Sequence, residues 1–308
     1  MISKMRGAAV LLVGALALSA CGGGGGGDKN PLGGSTGGGG GGGTLVIGTA
    51  DFPESQALGE VYAQALKAKG IKAETKVAGT REAYYKAIQS GQLAIVPEYN
   101  GNLLLHIDPK ATAATTDEVN AALGQKLPST LGILNSAKAE DKDSVVVTKE
   151  TADKDKLKTI ADLKPVASTI TFGGPSEFKT RESGLVGIKE KYGIEFKEFK
   201  SLDTAGPITV ARLKQGQIQA ANLFSTDAAI TKNNFVALED PKNVFPAQNV
   251  TPLIYRSKVN ADAQGVLNAI AAKLTTQDLL DMNSKMSVDK AEARDVAKDW
   301  LKKAGIAS

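Results

Sequence analysis

Residues 44–70 read TLVIGTADFPESQALGEVYAQALKAKG, and their patterning decides the fold. Residues 44–49 are a short run of apolar and β-branched side chains, the signature of a buried strand. Residues 55–69 then place Leu58, Val61, Tyr62, Ala65 and Leu66 on one face of a helix, and Gly70 stops it. A strand that passes through a polar loop into an amphipathic helix is the unit of a mostly parallel α/β architecture.

The alternation extends outward from this unit. Strands are predicted over residues 73–77, 93–96, 144–148, 168–172, 196–202, 218–224 and 250–255. Helices are predicted over 81–89, 117–127 and 158–163, from the turn Gly173-Gly174-Pro175-Ser176 through residue 192, and over 207–214, 262–274, 277–282 and 290–303. No period of 20 to 50 residues repeats, which excludes a solenoid. Residues 44–308 number 265, enough for a sizeable core and usually divided into two lobes. The expected division is a first lobe of residues 44–147 plus 252–308 and a second of 148–251, joined near 145–150 and 245–252.

Composition narrows the chemistry. The chain of 308 residues is 42% hydrophobic and 23% charged, with 37 basic against 33 acidic side chains, which excludes a disordered or multi-span membrane chain. Cysteine occurs once, at Cys21, and histidine once, at His106, so a disulfide framework, a Cys/His metal cluster and a Cys-His dyad are not expected. Ser225-Thr226-Asp227 lacks a second histidine or cysteine as base partner, which disfavours a hydrolase. No catalytic residue, cofactor or metal is expected. Gly173-Gly174 reads as a close turn rather than an anion cradle, because no Lys-Ser/Thr phosphate loop follows. One of Tyr84 and Tyr85 is expected in the core, and Trp300 is expected to anchor the last helix.

The N-terminus carries Lys4 and Arg6, an apolar run over residues 8–18, and then Ser19 and Ala20 before Cys21. The run is too short for a permanent membrane span and reads as an export signal over residues 1–20. Leu18-Ser19-Ala20-Cys21 resembles a bacterial lipobox, which implies lipidation of Cys21. A thioether-linked diacylglycerol would supply two acyl chains, enough for stable anchoring at ~0.8 kcal/mol per methylene. Loss of residues 1–20 lowers the net charge from +4 to +2, so a nucleic-acid partner has no electrostatic support. Fifteen of the 34 glycines fall in residues 22–43, a flexible tether that spans on the order of 25 Å. The expected location is the extracytoplasmic face of a bacterial cell membrane, held there by the lipid anchor only.

Five strings occur in order: Ile47-Gly48-Thr49-Ala50-Asp51-Phe52-Pro53-Glu54-Ser55, Val96-Pro97-Glu98-Tyr99-Asn100-Gly101-Asn102, Phe172-Gly173-Gly174-Pro175-Ser176-Glu177-Phe178, Arg181-Glu182-Ser183-Gly184-Leu185 and Phe224-Ser225-Thr226-Asp227. Together they make the chain resemble the substrate-binding lipoproteins of osmoprotectant ABC importers for glycine betaine, carnitine and choline, over residues 45–306. The resemblance implies a type II periplasmic binding protein fold, in which two α/β lobes with a hinge close on a ligand in the interlobe cleft. It also implies an ABC permease with its ATPase as partner.

By the same resemblance, a cage of aromatic rings holds a quaternary ammonium and cationic groups hold its carboxylate. A methylated ammonium donates no hydrogen bond, and each aromatic face offers it ~0.5–2 kcal/mol of cation–π attraction. Tyr99 matches one cage tyrosine, and Phe224 stands at a second position with the ring but no hydroxyl. Residues 143–145 lack the aromatic expected there, and Gln248 stands where a tyrosine would close the box. Arg181 matches the carboxylate-gripping arginine; the alternative for it is a surface ion pair with Glu177 or Glu182. Ala50 replaces a lysine and is followed by Asp51, and Asn102 replaces a hydroxyl. The expected ligand site is therefore Asp51, Tyr99, Asn102, Arg181, Phe224 and Gln248. The exchanges trade positive charge for neutral or acidic groups, so the expected ligand is bulkier or less zwitterionic than glycine betaine. An aromatic or polyhydroxy ligand, or a sensory lipoprotein without transport, is the alternative.

Overall fold

The computed structural model describes residues 43–306. The predicted export signal, Cys21 and residues 22–42 of the glycine tether lie outside the described residues.

The chain begins with β1 (Leu45–Thr49), α1 (Pro53–Ala68), β2 (Ala73–Val77), α2 (Arg81–Gln89), β3 (Ile95–Tyr99), α3 (Asn100–Ile107), α4 (Thr116–Lys126) and β4 (Leu131–Ile133). It crosses into β5 (Asp143–Thr148), α5 (Lys149–Asp155), β6 (Thr171–Gly174), α6 (Leu185–Tyr192), β7 (Glu198–Ser201), α7 (Pro207–Lys214), β8 (Ala220–Phe224), α8 (Ala228–Lys232) and β9 (Phe235–Ala237). It returns through β10 (Val250–Tyr255) to α9 (Ala261–Ala271), α10 (Thr276–Ser287) and α11 (Ala293–Lys303).

Two five-stranded sheets result, ordered β2-β1-β3-β10-β4 and β7-β6-β8-β5-β9. In each, the fourth strand runs antiparallel to its neighbours: β10 against β3 and β4, and β5 against β8 and β9. Those are the first strands after each crossing between the lobes. Each therefore starts at the edge where the parallel strands end, the edge at which open α/β sheets bind ligands.

Strand pairing moves both boundaries of the sequence reading, the return from 252 to before Val250 as well as the first crossing. The strand predicted over 144–148 lies in the second sheet, so the chain crosses before Asp143 rather than after residue 147. The return falls before Val250, which pairs with Tyr99 in the first sheet. The two crossings run side by side, tied by Asp141 N to Gln248 O at 3.1 Å and Val250 N to Ala139 O at 3.0 Å.

α1 shows why these residues make these elements. Pro53 occupies the first turn, where its missing N–H costs nothing, Glu54 lies at the positive end and Lys67 at the negative end. Leu58, Val61, Tyr62 and Leu66 are fully buried with α9, α10 and α11 in the core on one face of the first sheet. Burial of that size contributes about 1.5–3 kcal/mol for each large aliphatic side chain. Trp300 of α11 joins this core.

Two predicted elements change shape. β3 runs on through Pro97 to Tyr99, beyond the predicted end at Val96. Pro97 faces Pro252 across the ladder, a pair position that exchanges no backbone hydrogen bonds and tolerates two residues without N–H groups. The helix predicted from the Gly173-Gly174 turn through 192 is broken into a 3₁₀ turn at Ser176–Lys179 and α6. A Cβ on Gly184 would stand 2.1 Å from the Phe178 carbonyl oxygen, so the break requires glycine.

Candidate functional site

A cleft opens where the parallel strands of both sheets end. The first lobe supplies Ala50, Asp51 and Phe52 after β1, Arg81 and Tyr84 from α2, and Tyr99 and Asn102 from the end of β3 and start of α3. The second supplies Glu177 and Arg181 after β6, and Asn222 and Phe224 from β8. Asp141, Asp143 and Gln248 come from the crossings, brought there because β5 and β10 begin at this edge. All six predicted site residues line this one cleft.

Three rings meet across it. Phe52 lies with its centroid 5.0 Å from Phe224 and 6.2 Å from Tyr99, joining the lobes with aromatic faces. The Tyr99 hydroxyl donates to Glu54 Oε1 at 2.5 Å, which fixes the ring. Burial and the Glu54 carboxylate hold its phenol well above its ordinary range, so it stays a neutral donor. Tyr84 lines the cleft and donates to Glu98, whereas Tyr85 packs edge-on against His106 with centroids 4.9 Å apart.

Beneath the rings, acidic groups are held by neutral donors. Glu54 accepts from Thr226 Oγ1 of the second lobe at 2.7 Å and from Asn283 Nδ2 at 2.5 Å, in addition to Tyr99. Burial raises its carboxyl above the ordinary value, partly offset by those bonds. Asp141 accepts from Thr226 N at 3.0 Å and Ser225 Oγ at 3.2 Å; burial and the Glu54 charge push it well up. Both carboxyls are raised mainly by burial, which disfavours the charged form. Asp143 accepts from Asn102 Nδ2 at 2.8 Å and from Asn222 Nδ2 at 3.0 Å. A carboxylate only accepts, so the Asn222 amide nitrogen must face it. Asn222 Oδ1, fully buried in the cleft wall, has no hydrogen-bond partner among the described residues.

The two cations of the cleft are already committed. Arg81 binds fully buried Glu98 through two bonds, Nε to Oε1 at 2.8 Å and Nη2 to Oε2 at 3.0 Å. Burial works against its charge, yet Glu98 outweighs it and raises the guanidinium. Arg181 reaches across the lobes to Glu82 of α2 with the same geometry, at 3.0 and 2.9 Å, and Glu177 stands 3.9 Å away. The ion pair weighed for Arg181 at the sequence level named Glu177 or Glu182, and the main partner is Glu82. Partial burial opposes the Glu82 charge, but the hydrogen bonds and charge of Arg181 prevail and hold it at about 2.

Asn102 and Gln248, expected as hydrogen-bonding groups for a ligand, pair with each other at 3.0 and 3.2 Å, and Gln248 also accepts from Asp143 N. Phe224 and Arg181 line the cleft, and Asp51 is exposed at its rim. Sequence reasoning missed Phe52 and Asn222 as cleft groups, and Glu82 as the ion-pair partner of Arg181. Phe52 was visible within the first quoted string, and Asn222 lies two residues before Phe224 on the same face of β8, with Phe224 opposite Asp143. Nothing local marks Glu82, since its partner is 99 residues away. Among the described residues, no three His, Cys, Asp or Glu side chains are placed to hold a metal ion.

The family described as "Substrate binding domain of ABC-type glycine betaine transport system" matches residues 43–303. The glycine betaine-binding protein YehZ of Escherichia coli is 28% identical over 277 residues, covering 84% of this chain and 90% of that protein. An ergothioneine transport permease/ergothioneine binding protein of Helicobacter pylori is 23% identical over 266 residues, with 85% of this chain matched to 48% of that protein. A solved structure titled as a glycine betaine/carnitine/choline ABC transporter superposes with a TM-score of 0.68 at 22% identity, covering 85% of this chain and 99% of its own.

Proposed function

The chain belongs to the family of substrate-binding domains of ABC-type glycine betaine transport systems, and from that premise we propose that its cleft binds a methylated ammonium compound by closure of the two lobes. The fold is that of type II periplasmic binding proteins, and the chain is the solute-binding component of an osmoprotectant ABC importer. The observation that carries the ligand reading is the meeting of Phe52, Tyr99 and Phe224 above a set of carboxylates. Aromatic faces attract a cation that donates no hydrogen bond, and the surrounding acids supply the opposite charge.

The proposed site comprises Asp51, Phe52, Tyr99 and Phe224 around the ammonium, with Asn102, Gln248 and Arg181 shaping the wall. The partners of the transport cycle are a permease and its ATPase, which recognise the closed form. Lipidated Cys21 holds the domain at the extracytoplasmic membrane face through the glycine tether. No helix among the described residues is long and apolar enough to cross a membrane.

A thermal-shift screen over glycine betaine, carnitine, choline, polyamines and polyhydroxy compounds tests the ligand class, because a ligand bound only to the folded state raises the melting temperature. The expected result is a rise with at least one methylated ammonium, lost in the Phe52→Ala/Phe224→Ala double variant. A rise confined to compounds without an ammonium group contradicts the reading. For the anchor, membrane association of the exported chain is expected to be lost in Cys21→Ala; retention would refute lipidation at that residue.

A further inference from the structure

The cleft has an arginine matched to the carboxylate-gripping position, yet the guanidinium is filled by the chain itself. Glu82 stands on it in the two-bond arrangement that a ligand carboxylate would take, Nε to Oε1 at 3.0 Å and Nη2 to Oε2 at 2.9 Å. Arg181 follows β6 in the second lobe and Glu82 belongs to the first turn of α2 in the first, so the pair spans the closing interface. The other cleft cation, Arg81, is matched by Glu98, and Asp143 adds a further nearby carboxylate. Among the described residues, a ligand carboxylate entering this cleft finds no open cation and meets Asp51, Asp143 and Glu177 instead.

A second observation is independent of charge. Asn222 Oδ1 is a buried acceptor with no partner, in the wall of the same cleft, its amide nitrogen held by Asp143. A buried acceptor left unmatched costs about 1–3 kcal/mol, which a ligand donor would recover. Glycine betaine has a quaternary nitrogen and a carboxylate and offers no donor. A hydroxyl-bearing ammonium offers one.

We propose that Glu82 is the protein's own carboxylate on Arg181, so that the cleft selects an organic ammonium carrying a hydrogen-bond donor in place of a carboxylate, with Asn222 Oδ1 as the acceptor for that donor. The proposal rests on the methylated-ammonium reading of the site and adds the specificity. Glu82 both removes the carboxylate seat and closes the lobes without help from the ligand. Because its side chain is 43% exposed, its substitution leaves the cores intact.

The test is isothermal titration of choline and glycine betaine into the wild-type full chain, Glu82→Gln and Phe224→Ala. Wild type is expected to bind choline at least tenfold more tightly than glycine betaine. In Glu82→Gln the ratio is expected to shift toward glycine betaine by tenfold or more, because Arg181 is released to a ligand carboxylate. Phe224→Ala is expected to weaken whichever ligand binds without moving the ratio by more than about twofold. Wild-type preference for glycine betaine, or a ratio unchanged within twofold in Glu82→Gln, overturns the selection by Glu82 while leaving the ammonium reading intact, provided Phe224→Ala weakens both ligands. Binding of neither compound by folded wild type overturns the proposed selection, and the ammonium reading is then decided by the thermal-shift screen.

Discussion

Phe224 illustrates what one side chain contributes to this cleft. Its ring faces Phe52 from the opposite lobe at 5.0 Å, so it is both a ligand wall and part of the seam that closes. Removing it in Phe224→Ala is expected to cost about 0.5–2 kcal/mol of binding, roughly 2- to 30-fold in Kd, measurable by titration with a methylated ammonium. Glu98 contributes differently. It is fully buried under Arg81, so Glu98→Gln strands a guanidinium and is expected to lower unfolding free energy by about 3–5 kcal/mol in urea. A loss under 1 kcal/mol would show that the pair is solvated and not structural. At this scale Tyr99 and Phe224 were legible in the residue strings because each ends a strand, and Arg181 because its own string stands between β6 and α6. Glu82 and Asn222 were not, since an ion pair spanning 99 residues and an unmatched amide oxygen exist only in the folded cleft.

At the scale of elements, the strand and helix periodicities carried most of the architecture. Residues 73–77, 81–89, 207–214 and 250–255 fold as read. α3 was hidden because Asn100-Gly101-Asn102 reads as a loop; Asn100 instead fixes the start of the helix, accepting from Gly101 N at 2.9 Å and Asn249 N at 2.8 Å. Gly101 is needed there for a second reason. A Cβ would stand 2.3 Å from the Ala247 carbonyl oxygen in the returning crossing. Gly101→Ala is therefore expected to destabilise by about 1–3 kcal/mol, read as a lower urea midpoint, because backbone rather than a flexible side chain must move. An unchanged midpoint would mean the crossing is free to shift. α5, α8, β4 and β9 escaped the sequence reading because each is short, three to seven residues, and their pairing is decided by distant strands.

At the scale of the whole molecule, the two sheets share one plan, and burial raises the carboxyls of Glu54, Asp141 and Asp227 above their ordinary values. Asp227, which caps α8 through Ala229 N at 2.8 Å, is raised to about 6 by burial, with the cap bond opposing and the Glu54 charge adding to the shift. A carboxyl raised in the folded state contributes stability that is fully present below its ordinary value near 4 and is lost as pH rises through about 6. Wild type is thus expected to lose roughly 2 kcal/mol between pH 4 and pH 7 relative to Asp227→Asn, which keeps the cap without the titration. Parallel pH profiles of the two proteins would contradict this.

The central claim is that a positive charge on the ligand is what the rings and acids of the cleft recognise. The most direct measurement is titration of the wild-type chain with choline and with 3,3-dimethyl-1-butanol, its uncharged isostere of nearly the same shape and hydroxyl. Choline is expected to bind at least a hundredfold more tightly, because three rings and the unpaired carboxylates act only on the cation. Equal affinity for the two would contradict the account.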